Sequence, residues 1–186
     1  MARIPDDDTL MVAIARGEET AFRLLVERWE TDVKTFLVHM TGSLEEAQDL
    51  TQDTFVQVFR KAGSYRPDGK FKSWLLRIAG NYARSRLRRR RIVGWVSFNP
   101  DYHDRAGSQV DPVDEMAARQ DAATVGRALE KLPVRQREAL VLNRFQGLRY
   151  KEIAAVMETT VSGVESLIQR ALSGLRKDLT GKVDRS

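Results

Sequence analysis

The 186-residue chain is 42% hydrophobic and 31% charged, with a formal charge of +5, no Cys and only two His. That balance belongs to folded globular proteins, and the length allows one large domain or two small ones. The missing Cys excludes disulfides, thiol catalysis and thiolate metal centres, while His39 and His103 alone leave little for an imidazole metal site.

No apolar run approaches the roughly 18 residues of a membrane-spanning helix, and Met1 to Asp8 lacks the apolar stretch of a signal peptide, so a cytoplasmic protein without membrane insertion is expected. Charge is distributed unevenly. Residues 1–95 carry 17 Lys and Arg against 13 Asp and Glu, residues 96–115 carry 1 against 5, and residues 116–186 carry 13 against 8. Two basic blocks thus flank an acidic bridge. Clustered positive charge is what a polyanion binder needs, because phosphate contacts release counterions. A solvated surface is the commoner source of a net charge this small, and charge alone does not choose.

In chain order, the five prolines fall between apolar-periodic segments, as residues that helices exclude from their interiors. Apolar positions from Leu10 to Met40 recur at three- and four-residue steps with an interruption at Gly17, giving a short helix and then a long one. Ser43 and Glu46 have capping-box spacing, which starts a third helix that ends near Ala62. Gly63 to Gly69 has turn composition. Phe71, Trp74, Leu75, Ile78 and Tyr82 then begin a fourth helix, expected to stop at Gly94. At that spacing Trp74 and Phe71 read most simply as core.

Residues 97 to about 112 lack an apolar period and read as a linker. Beyond it, Met116, Val125, Leu129 and Leu132 predict one helix, and Leu140, Val141 and Phe145 another, closed by Gly147 as a C-cap. Tyr150 to Met157 predicts a short helix with Ile153 and Met157 on one face beside Ala154. After the break at Glu158 to Thr160, a further helix is expected to bury Val161, Val164, Ile168, Leu172 and Leu175. That pair has helix-turn-helix spacing, whose second helix enters a DNA major groove; an ordinary helical hairpin has the same periodicity.

Two motif sets carry a resemblance. Leu132-Pro133, Gln136-Arg137, Gly147-Leu148, Tyr150, Glu152-Ile153-Ala154, Val161, Val164, Ser166 and Arg170-Ala171 resemble the fourth conserved region of bacterial sigma factors of the extracytoplasmic-function (ECF) group. Ala21-Phe22, Leu25, Asp49-Leu50, Gln52-Asp53, Phe55, Ser64-Tyr65-Arg66, Phe71, Trp74-Leu75, Arg77-Ile78-Ala79 and Asn81 are similar to the second. The resemblance implies an all-α protein: a region 2 domain over 1–95, a linker over 96–115 and a region 4 helix-turn-helix domain over 116–186.

It also implies a function and partners. Such a protein binds core RNA polymerase, through the clamp helices of the largest subunit and the flap of the second, and directs promoter-specific initiation. An anti-sigma partner and a stress signal are implied as well, with no cofactor. Asp49, Gln52, Asp53 and Phe55 match the polymerase-docking positions. Tyr65, Arg66, Lys70, Arg77, Asn81, Arg84 and Arg88 match the element that melts and reads minus-ten DNA, where an extruded base needs a pocket. Six Arg between 84 and 91 suit phosphate contact. Ser162, Ser166, Gln169 and Arg170 are left for the minus-thirty-five element, since Glu165 and Leu167 stand where many relatives are basic. The acidic linker reads either as a nucleic-acid mimic or as a plain tether. The competing class is a stand-alone helix-turn-helix regulator; an enzyme is poorly supported, because no phosphate-cradling loop or nucleophile elbow is present.

Overall fold

A computed structural model gives the structure, which describes residues 5–96 and 124–183, with side chains described over 5–92 and 124–177. Helix α1, Asp7–Ala15, begins where the Asp6 carboxylate accepts from the Thr9 amide at 2.7 Å. Asp7 and Asp8 in its first turn complement the helix dipole. It buries Leu10, Met11 and Ile14, then turns at Gly17 into α2, Glu19–Thr41. Helix α2 ends on Gly42, whose left-handed backbone (φ 74°) sends its N–H to the Val38 carbonyl. The Ser43 hydroxyl accepts from the Glu46 amide and starts α3, Leu44–Lys61. One 3₁₀ turn, Ala62–Ser64, and a loop lead into α4, Phe71–Val96.

These four helices enclose Leu25, Val33, Phe36, Leu37, Leu50, Val58, Leu75 and Leu76, none more than 3% exposed. Dense apolar packing of this kind is the main source of stability in a bundle. Gly94 does not end α4, which continues to Val96. A single glycine costs only about 1 kcal/mol against Ala within a helix, too little by itself to stop one already running through Arg88 to Arg91.

In the second half, α5 (residues 124–130) precedes α6, Val134–Arg144. Gly147, at φ 68°, makes the turn toward α7, Tyr150–Val156, which is followed by α8, Val161–Val183. Leu129, Leu142, Ile153, Val156, Val164, Ile168 and Ala171 close this core. Val161 is 48% exposed, contrary to the periodicity. It stands at the first helical position, ahead of the turn whose residues meet α6 and α7. Leu172 and Leu175 are only half-buried, and Ala171 takes the place on the inner face.

The linker expected over 96–115 lies, apart from Val96, outside the described residues, as does Met116. Across that gap the halves are in direct contact: α6 packs on α2 and α4, and α7 packs on α4.

Candidate nucleic-acid interface

The loop from Tyr65 to Lys70 is held by an acid from the far end of the half. Asp8 accepts from the Tyr65 hydroxyl at 2.5 Å through one oxygen and from the Gly69 amide at 2.8 Å through the other. Gly69 sits at φ 74°, the left-handed region that glycine enters without strain. The Tyr65 ring meets Phe71 and Trp74 edge-on, at centroid distances of 5.9 and 5.0 Å. Burial, and next the Asp8 carboxylate, hold the Tyr65 phenol well above its ordinary pKa, so it remains a neutral donor.

Beside the loop lies a cleft of about 280 Å³ lined by Tyr65, Arg66, Lys70, Trp74 and Arg77, with Ala155 of α7 contributing to its wall. Of the positions expected to touch minus-ten DNA, four therefore converge: Tyr65, Arg66, Lys70 and Arg77. Trp74, read as core from its spacing, is half-buried and faces this cleft as well as the aromatic cluster.

Asn81 and Arg84 lie farther along α4. Asn81 is exposed, and its side-chain oxygen accepts from Arg84. Arg84 is also paired with Glu138 of α6. Arg86 and Arg90 flank Glu46, at 3.8 and 4.0 Å, whereas Arg88, Arg89 and Arg91 are exposed. Ser162, Ser166, Gln169 and Arg170 form an exposed group on α8, away from the cleft residues in the chain and carried by a separate element. The Thr160 hydroxyl caps α8 by accepting from the Gly163 amide at 3.0 Å.

On α3, Asp49, Gln52 and Asp53 are all exposed, on one side of the helix. Phe55 departs from expectation: it is 5% exposed and belongs to the core, so its effect on any docking surface is to hold α3 in place. The apolar side chains standing outward on this helix are instead Val56, 47% exposed, and Phe59, 51% exposed and edge-on to Phe22 at 5.3 Å. Both fall out of phase with the buried stripe, a signal available in the sequence.

Sequence reasoning also missed Asp8 and the buried polar set Arg137, Glu138 and Gln146. Glu138 is fully buried. Burial pushes its carboxyl above the usual range, and Arg84 only partly pulls it back. Among the described residues no group of acids, His or Cys is placed to hold a metal, and no helix is long and apolar enough to cross a membrane.

With this geometry in place, known proteins supply a frame. Residues 25–92 match the Sigma-70 region 2 family and residues 123–175 the Sigma-70 region 4 family. The chain is 33% identical over 180 residues to the RNA polymerase sigma-H factor of Pseudomonas aeruginosa, covering 93% of each. It is 31% identical over 172 residues to the ECF RNA polymerase sigma-E factor of Escherichia coli K12, covering 89% of this chain and 90% of that one. Its fold is similar to CnrH, solved in complex with the cytosolic domain of CnrY, with a TM-score of 0.72, 29% identity, and coverage of 94% and 97%. The fold also matches RpoE of Bartonella quintana, solved with the anti-sigma factor NepR, at a TM-score of 0.68 and 24% identity over 86% and 96% of the two chains.

The chain belongs to the ECF group of RNA polymerase sigma factors. It is a promoter-specificity subunit: it binds core RNA polymerase and directs transcription initiation.

Proposed function

We propose that the three-residue polar face of α3, Asp49, Gln52 and Asp53, docks the chain on a basic surface of core RNA polymerase, with Val56 and Phe59 adding apolar contact. The cleft beside Tyr65 receives a base extruded from the minus-ten element. Asn81 offers both donors and acceptors to a base edge, and Arg66, Lys70, Arg77, Arg84 and Arg88 hold the adjoining phosphates. Ser162, Ser166, Gln169 and Arg170 of α8 meet the minus-thirty-five duplex. The domains divide at 1–95 and 116–186, with 96–115 as the connection.

The observation that supports this most is the convergence of Tyr65, Arg66, Lys70 and Arg77 on one cleft, with the arginine-rich stretch farther along the same helix α4. A pocket beside aligned cations is what a flipped base and its backbone require. The protein has no catalytic chemistry of its own and acts in the cytoplasm, beside the polymerase. A protein inhibitor covering this fold is part of the reading; CnrH, solved with part of CnrY, is an instance of a partner seated on such a fold.

Binding of the full chain to core RNA polymerase, measured by size-exclusion chromatography or interferometry, tests the α3 assignment. Asp49→Lys with Asp53→Lys should weaken the complex by about tenfold or more through charge reversal and leave the helix content unchanged. A stand-alone duplex-DNA regulator would show no polymerase complex to weaken.

A further inference from the structure

We propose that Asp8, on α1, sets which base the cleft beside Tyr65 accepts: it is a positioning residue for minus-ten selectivity, acting through the Tyr65 ring and the Gly69 backbone. The inference rests on the reading of that cleft as the seat of an extruded base. Asp8 lies ahead of residue 25, where the match to Sigma-70 region 2 begins, so it stands outside the segment shared with that family.

One carboxylate spans the loop. Its two oxygens take the Tyr65 hydroxyl at 2.5 Å and the Gly69 amide at 2.8 Å, so the stretch between these residues is closed on a single side chain. Between the two anchors stand Arg66 and Asp68, both lining the cleft, and Pro67, whose ring fixes its own φ. Moving Asp8 therefore moves the wall of the cleft.

The carboxylate can serve as an anchor because the start of α1 is itself held. Asp7 Oδ1 accepts from Arg28 at 2.6 Å and from the Trp29 indole at 3.1 Å, and Arg28 also donates to the Pro5 carbonyl at 2.8 Å. The Trp29 ring meets Phe71 at a centroid distance of 5.9 Å, and Phe71 meets Tyr65 at 5.9 Å. The contacts thus run in a closed circuit, from Asp7 through Trp29 and Phe71 to Tyr65 and back to Asp8. A base that enters the cleft meets a ring that cannot shift without breaking this circuit. A wall held in place discriminates by shape, where a mobile one adapts to each base.

The commitment of the hydroxyl also decides what Tyr65 offers. Asp8 does not line the cleft, so the phenol makes its bond outside it and the base meets the ring. Tyr65 selects by fit and stacking, and the donors and acceptors for a base edge come from other side chains.

Asp8→Asn keeps both bonds and Asp8→Ala keeps neither. A phenol oxygen accepts as well as donates, so the Asn N–H can serve Tyr65 while its carbonyl takes the Gly69 amide. The test uses holoenzyme assembled from core RNA polymerase and the full chain. It transcribes a barcoded template library, built on a promoter that the chain activates and randomised across the minus-ten element, and base preference at each position is read from the sequenced transcripts. Asp8→Ala should reduce the preference at one position by about tenfold, the scale of one base–aromatic stacking contact. Asp8→Asn should retain it, and Asp8→Ala combined with Tyr65→Phe should lose no more than Asp8→Ala alone, since the two residues act as a unit.

A uniform fall in transcripts across all templates, with every preference unchanged, makes Asp8 a residue of stability only and overturns the inference. So does Asp8→Asn behaving like Asp8→Ala. Tyr65→Ala separates this inference from the reading beneath it. If that variant leaves every preference unchanged, the cleft receives no base; if it flattens a position that Asp8→Ala leaves intact, only the part given to Asp8 is lost.

Discussion

Asp8 shows how much one side chain settles in this protein. With Tyr65 on one oxygen and the Gly69 amide on the other, it fixes both ends of the loop that borders the cleft. Hydrogen bonds to a charged acceptor are worth about 1.5 to 3 kcal/mol, less where water competes. Asp8→Ala should therefore lower stability in urea by about 1 to 2 kcal/mol and abolish hydrogen-exchange protection at the Gly69 amide. Glu138 makes a second residue-scale prediction. Because burial raises its pKa in the folded protein, that state binds the proton more tightly than the unfolded chain does. The stabilisation is complete below the unfolded pKa of about 4.5 and is lost as pH rises through the folded value. Urea midpoints should accordingly rise as pH falls from neutrality toward that range, and Glu138→Gln should flatten this slope. Neither residue was legible in the sequence: Asp8 lies 57 positions from Tyr65 and Glu138 54 from Arg84. The Asp6 and Ser43 caps, which act three residues away, illustrate the short range over which a sequence declares its own bonds.

At the scale of elements, periodicity located α1 to α4 and α6 to α8 because each buries a stripe against its neighbours. It failed where a residue's neighbours are decided by something other than phase. Val161 has the phase of the buried stripe but stands at the first position of α8, and Gly94 has stop-signal chemistry but α4 continues through it to Val96. Phe55 is the instructive case, since motif matching put it on the docking face and packing puts it in the core. The two roles separate by measurement. Phe55→Ala should cost about 3 to 5 kcal/mol of stability as a buried aromatic truncation. Asp49→Lys should change stability by no more than about 0.5 kcal/mol and act on polymerase affinity alone. Ser43→Ala, which removes the cap of α3, should cost about 1 kcal/mol in the same urea experiment.

For the whole molecule, the order of two helical halves around an acidic stretch was readable from charge and composition, and the family from two motif sets in sequence. How the halves meet was not. The polar part of their contact joins Lys72, Arg77, Arg84, Arg137, Glu138, Gln146 and Glu158, residues whose pattern along the chain looks like ordinary solvated surface. The most direct test is promoter-directed initiation by core RNA polymerase on genomic DNA of the host, read as sequenced transcript 5′ ends with and without this chain. The account predicts a discrete set of new start sites, lost with Asp49→Lys and Asp53→Lys. A start-site profile that the chain leaves unchanged would contradict it.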